Sequence, residues 1–292
     1  MRSQENELRL RALGSACHVC LGEYTADSGD LLTLAKCELQ RLESKFDAFH
    51  SSSIIGQINR GAGSGSFVPL DHEARSLFEF AQALWNESSH QYDPTVAVLG
   101  NGQSSASDLA KKLPLVGWSH LELTPQGVRL PIKGMLINMN SCVRPYAVDS
   151  IRKILTSGGV QSAMISLDED VATIGRQHDG ANWLVGIKHP KKSGVAITRM
   201  KLNNMGYSVR GDFENCHIVD DERFGSALSP VDGRPIPGLL SVGVMADTCL
   251  AACGAASIAR VKTERAALQW LEKLGYRWVG IDKNLHCHGM LP

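Results

Sequence analysis

Between residues 29 and 49 the apolar side chains Leu31, Leu32, Ala35, Leu39, Leu42, Phe46 and Phe49 fall at the three- and four-residue spacing of a helix. This places them on one side of a single amphipathic helix that ends near His50. A stripe that wide must be covered by a broad apolar surface from elsewhere in the chain. Strand-like runs at residues 135–139, 163–167, 183–187, 195–198 and 240–246 can provide it. A β-hairpin is expected over 120–130, around Pro125-Gln126-Gly127. Further helices are expected over 73–85, 145–157, 248–259 and 263–274, with Pro145 in a first turn and Gly158-Gly159 at the exit. Helices and strands do not alternate strictly, so the reading is an α+β fold, with residues 1–292 as one domain.

Composition narrows the function. The 292 residues carry 30 Lys+Arg against 30 Asp+Glu. Nucleic acid and anionic membranes are bound through a positive excess that this chain lacks. No apolar run approaches the roughly 20 residues of a membrane span, and the first residues lack a signal peptide's apolar region. The eight cysteines are scattered, which points to reduced thiols and a cytoplasmic protein.

Several segments have residue types that can carry chemistry. Gly61-Ala62-Gly63-Ser64-Gly65-Ser66 could cradle a phosphate, but no strand leads into it and no lysine follows, so a connecting loop is the better reading. Cys17 and Cys20 have metal-ligand spacing, and His286-Cys287-His288 could complete a zinc site with them. In a strand, however, positions three apart face opposite ways. Cys249 and Cys253 lie four apart on a helix of small residues, as core thiols or as ligands. Asp168-Glu169-Asp170 reads as a hard-cation loop or a solvated turn, and Asp93-Pro94-Thr95 as a turn.

Taken in order, the motifs resemble the FAD:protein FMN transferase family, the ApbE-type proteins, over nearly the whole chain. Leu13-Gly14-Ser15 stands for the family's Met-Gly-Thr, and Ser53-Ile54-Ile55-Gly56-Gln57-Ile58-Asn59 for Ser-Glu-Ile-Ser-x-Leu-Asn. Tyr92-Asp93-Pro94-Thr95-Val96 stands for Phe-Asp-Pro-Thr-Val, and Arg144-Pro145-Tyr146-Ala147-Val148-Asp149 for Lys-Gly-Tyr-Ala-Val-Asp. Trp183-Leu184-Val185-Gly186-Ile187-Lys188-His189-Pro190 follows Trp-x-Val-Gly-Ile-x-x-Pro. The resemblance implies mixed sheets and helices around a central flavin cleft. It also implies Mg²⁺-dependent cleavage of FAD and attachment of FMN to a Ser or Thr of a target protein.

On that resemblance, Arg144, Asp149 and Asp212 take the catalytic positions. Ser53, Asn59, Tyr92, Asp93, Thr95, Arg144, Asp168, Glu169 and Gly211 take the flavin-binding ones, and Val143, Cys253 and Ser257 the metal-binding ones. The chain departs from the family where phosphate and metal should be met. Asn140-Ser141 and Asp168-Glu169 replace paired glycines. Ala-Asp-x-x-x-Thr becomes Ala252-Cys253-Gly254-Ala255-Ala256-Ser257, which offers sulfur to a cation that prefers oxygen. Thr-Ser-Gly-Asp becomes Val209-Arg210-Gly211-Asp212, and His-Ile-x-Asp-Pro becomes Ser226-Ala227-Leu228-Ser229-Pro230. The expectation is a flavin-binding protein with weakened or lost FMN transfer. Alternatives are a non-catalytic interaction protein on the same fold or a still-active transferase.

Overall fold

The computed structural model describes residues 6–23, 26–100, 106–189, 194–211, 217–219, 222–224 and 227–289. Expectations placed on Asp212 and Ser226 lie outside the described residues. The chain opens with strands β1 (Glu7–Ala12) and β2 (Ser15–Leu21), joined through Leu13 and Gly14, both at positive φ. Helices α1 (Ser28–Phe46), α2 (Ile54–Arg60) and α3 (His72–Glu87) follow. After a 3₁₀ turn at Pro94–Leu99 come α4 (Ala106–Lys112) and the hairpin β3 (Glu122–Thr124) and β4 (Gly127–Arg129). Next are α5 (Asn140–Ser157), β5 (Ala163–Leu167), β6 (Asp170–Ile174), β7 (Trp183–Lys188), β8 (Ala196–Leu202) and β9 (Gly206–Gly211). The short pair β10 (His217–Val219) and β11 (Glu222–Phe224) precedes β12 (Ser241–Ala246), α6 (Cys249–Arg260) and α7 (Glu264–Leu274). Strands β13 (Arg277–Ile281) and β14 (Cys287–Gly289) end the order.

Eight strands form one sheet in the order β1-β2-β5-β6-β9-β12-β13-β14, and every adjacent pair is antiparallel. The buried stripe of α1, from Leu31 through Leu39 to Phe46, packs with α5 in the main core. Phe49, expected on that stripe, is 81% exposed, because the helix stops at Phe46 with Asp47 extended. The ribbon β7–β8 contributes Trp183, Ile187, Met200 and Leu202 to a second cluster, with Tyr207 and Val209 of β9. Every residue of β6 and β12 is therefore buried, which explains why β12 reads as an unbroken apolar run.

Helix α6 is buried over most of its surface. Its Cys, Ala, Gly and Ser side chains let it approach β9, β12 and α5 closely, and Gly206 of β9 is where approach is tightest. A Cβ there would stand 2.1 Å from the Cys249 nitrogen and 2.2 Å from the Thr248 carbonyl carbon. Residues 135–139, expected as a strand, form none. Helix α5 begins five residues before the expected Pro145, so the proline lies inside it. No described helix is long and apolar enough to cross a membrane.

Candidate functional site

The interior proline of α5 sets up the site. Pro145 has no N–H, so the carbonyl of Ser141, four residues earlier, loses its helical donor. The Cys253 thiol of α6 supplies one instead, donating to that oxygen at 3.0 Å. The same sulfur accepts from Arg210 Nη2 of β9 at 2.8 Å. Arg210 Nη2 also lies 3.0 Å from Asp170 Oδ1, and Ser208 Oγ donates to that oxygen at 2.6 Å. The Asp170 side chain is 2% exposed and that of Arg210 20%. Burial holds the Asp170 carboxyl above its ordinary value against the opposing pull of Arg210 and Ser208. With a guanidinium in contact and a hydroxyl donor in place, we read the pair as ionised. Burial pushes the Cys253 thiol up, and it stays protonated at neutral pH.

This cluster lies beside a cleft of about 470 Å³, a size suited to a small-molecule ligand. Tyr92, Asp93 and Pro94 line it, with Asn140, Ser141 and Arg144 from the first turns of α5. Asp168, Glu169 and Asp170, then Arg210 and Gly211, come from the sheet, and Ser257 and Arg260 from α6. The positive end of the α5 dipole thus opens on the cleft, as do three arginines. Tyr92 Oη shares a 2.6 Å hydrogen bond with Ser141 Oγ and lies 3.2 Å from Cys142 Sγ. Asn140 Oδ1 is buried without a hydrogen-bond partner among the described residues, an acceptor that a ligand N–H could satisfy.

Asp168 and Glu169 form the two-residue turn between β5 and β6, and Asp168 sits in the left-handed region at φ 59°. Aspartate tolerates that conformation better than most residues. Its carboxylate takes Ser15 Oγ at 3.4 Å and Arg144 Nη1 at 3.5 Å. Arg144 Nε donates to the Leu13 carbonyl at 3.2 Å, which ties α5 to the β1–β2 turn. Glu169 is raised to about 7, by burial first and then by the Asp168 charge, with Lys188 Nζ 3.9 Å away opposing the shift. It therefore exchanges its proton near neutral pH.

Several residues expected at the site hold the scaffold instead. Ser53 caps α2, accepting the Gly56 N–H at 2.8 Å and donating to the Asp47 carbonyl. Asn59 clamps the backbone of Ile137 through both its amide atoms, at 3.0 and 2.8 Å. Thr95 is fully buried, pairing with Asp93 Oδ1 and accepting from the Gly117 N–H. Asp93 does line the cleft, but its oxygens also hold Thr95 and the Trp118 N–H. Asp149, expected as catalytic, instead caps α6: its two oxygens take the N–H groups of Cys249 and Leu250 at 2.8 Å each. A carboxylate at an orphan helix N-terminus is held by the helix, and Asp149 is not among the residues that line the cleft.

The metal expected at Val143, Cys253 and Ser257 does not fit these residues. Val143 is fully buried inside α5, and Cys253 Sγ is 3.7 Å from Ser257 Oγ. Mg²⁺ needs several oxygens at about 2.1 Å. The central donor here is a protonated sulfur already in contact with a guanidinium. A divalent ion there would have to compete with that guanidinium for the Asp170 carboxylate, which Arg210 already neutralises at 3.0 Å. Sequence reasoning left Arg210 out of the site. The available signal was paired: an arginine enters the motif on β9 where an aspartate leaves the motif on α6.

A second cavity, about 340 Å³, lies among Glu7, Cys20, Gln177, His178 and Trp183 and shares none of the residues expected to hold flavin or magnesium. Cys17 belongs to the main core and Cys20 to the cluster on the other face. Strand β2 is second in the sheet and β14 eighth, six strand steps or about 29 Å apart. The cysteine pair and His286–His288 thus cannot share an ion.

The family model for the ApbE family matches residues 13–279. The chain is 22% identical to a FAD:protein FMN transferase of Haemophilus influenzae over 284 residues, covering 90% of this chain and 82% of that protein. It superposes on the flavin transferase ApbE of Vibrio cholerae with a TM-score of 0.85 at 19% identity, covering 98% and 96% of the two chains. On the apo form of the Pseudomonas stutzeri flavinyl transferase ApbE the TM-score is 0.81 at 25% identity, covering 95% and 90%. With the cleft assembled from the motifs that carried the resemblance, and the match running across all of them, the chain belongs to the ApbE family.

Proposed function

We propose that the cleft binds a flavin nucleotide, FAD by kinship with the family, and that FMN transfer to a Ser or Thr of a partner protein is weakened or lost. The observation that carries this reading is Arg210, whose guanidinium joins Asp170 and Cys253 at the expected metal position. Arg144, Arg210 and Arg260 can meet a diphosphate, and guanidinium matches phosphate in a bidentate way. Val96, Leu228 and Val261 give the wall an apolar part suited to a ring system.

Breaking a diphosphate needs positive charge that follows the charge developing on its oxygens. A guanidinium balanced by Asp170 supplies less of it than a divalent ion, and Asp168 adds an opposing carboxylate. The carboxylates at the β5–β6 turn favour, as a second reading, a flavin-free interaction protein on the same fold. Titration of the purified protein with FAD, followed by fluorescence quenching, is expected to show saturable binding with or without Mg²⁺. AMP release from FAD is expected to stay at background. No quenching at high micromolar FAD would favour the flavin-free protein. Mg²⁺-dependent AMP release, or covalent flavin on a co-expressed acceptor, would establish an active transferase.

A further inference from the structure

We propose that Glu264, Asp282 and His288 form a binding site for one zinc-type divalent ion at the far edge of the sheet, with His286 beside it on the same carboxylate. None of the four lines the flavin cleft. The loop after β13 folds back so that Asp282 accepts the N–H groups of Asn284 and His286 through Oδ1, at 2.8 and 2.9 Å. That fixes a carboxylate only 4% exposed and leaves Oδ2 aimed at two imidazoles. His286 Nδ1 lies 3.2 Å and His288 Nε2 3.1 Å from this one oxygen. The ligand atoms of Glu264, Asp282 and His288 all lie within 4.8 Å of one another.

Donors bound about 2.0 Å from a tetrahedral zinc ion stand about 3.3 Å apart along each edge of the tetrahedron. Both Asp–His separations are close to that value. Both histidines contact Asp282 Oδ2, but only His288 stands within reach of Glu264 as well, while Cys287 between them packs towards the interior cluster. An imidazole with two carboxylates, and a second imidazole on the same aspartate, suits a borderline ion of the zinc class better than Mg²⁺ or Ca²⁺. The ligands come from the first turn of α7, the residue after β13 and the outermost strand β14. One ion would therefore pin β14, which pairs only with β13, to the helix beside it.

The test uses the full chain stripped of metal and titrated with ZnCl₂ against a chromogenic chelator. One equivalent should bind with a dissociation constant on the order of a micromolar or below, and the melting temperature should rise. His288→Gln should weaken binding about tenfold or more, and His286→Gln should weaken it less. His288 has a side chain 32% exposed, so its substitution tests the site without opening the core. Glu7, His18 and Cys20 form another described cluster of this kind, and His18→Gln should leave binding unchanged. The proposal is overturned if no equivalent binds below about 100 µM. It is equally overturned if binding survives in the His286→Gln, His288→Gln double variant, or is lost in His18→Gln.

Discussion

Replacing Arg210 with methionine keeps the length of the side chain and removes its charge, which leaves Asp170 buried alone. The two groups are 3.0 Å apart at their nearest atoms, with Asp170 2% exposed. Charges centred ~4 Å apart interact by about 4 kcal/mol at an effective dielectric near 20, and removing one partner of a buried pair typically costs about 3–5 kcal/mol. The variant should lose an amount in that range at neutral pH, measured by urea denaturation. The deficit should shrink on acidification. Losing Arg210 removes the charge that opposes burial, so the folded-state pKa of Asp170 climbs further above its unfolded value of about 3.9. The folded variant then holds a proton that the unfolded chain releases, so its stability is greatest below the unfolded pKa and falls as pH rises through the folded one. Adding Asp170→Asn should recover much of the loss, because an amide can still pair with Ser208. A deficit below about 1 kcal/mol that is the same at about pH 5 and pH 7 would refute the buried ion pair.

Glu169→Gln should flatten a pH dependence. With a folded pKa of about 7, Glu169 contributes stability that is complete below its ordinary value near 4.5 and is lost as pH rises to 7. The loss is at most about 3 kcal/mol and should be absent in the glutamine variant. FAD affinity should likewise fall across pH 6 to 8 in the wild type, as a carboxylate forms beside the cleft, and not in the variant. Cys253→Asp with Ser257→Thr should not create Mg²⁺ dependence while Arg210 remains to pair with the new carboxylate. Adding Arg210→Ser should let Mg²⁺ raise the melting temperature, and a Mg²⁺ response in the double variant would show that Arg210 is not the obstacle. Gly206→Ala should cost about 3 kcal/mol or more, because its Cβ meets the backbone of Thr248 and Cys249; a melting temperature equal to wild type would mean that α6 can move.

The elements legible in the sequence are those whose pattern is set by one long buried face. Helix α1, helices α6 and α7 and the strands β5, β7 and β12 all lie within a residue or a few of the positions that periodicity assigns them. Helix α2 was not legible: its seven residues bury only Ile55, Gly56 and Ile58, within a stretch that reads as polar and glycine-rich. Strands β1 and β2 merge into one run in the sequence, because the break at Leu13-Gly14 depends on backbone conformation. The early start of α5 was hidden by its proline, which leaves the Ser141 carbonyl to a thiol 112 residues away. The site divided in the same way. Order of motifs brought Tyr92, Asp93, Arg144, Asp168, Glu169 and Gly211 to one cleft. Residues whose motif is a cap or a clamp, such as Ser53, Asn59 and Asp149, are indistinguishable in sequence from ligand contacts, because the same polar atoms serve both purposes.

The central claim is that a guanidinium stands where the family pattern places a metal, so that anion binding in the cleft needs no divalent ion. Its most direct measurement is the FAD dissociation constant, taken by fluorescence quenching in excess EDTA and again in millimolar Mg²⁺. The account predicts values that agree within about twofold, a difference below 0.5 kcal/mol. Binding that tightens about tenfold or more with Mg²⁺ would contradict it.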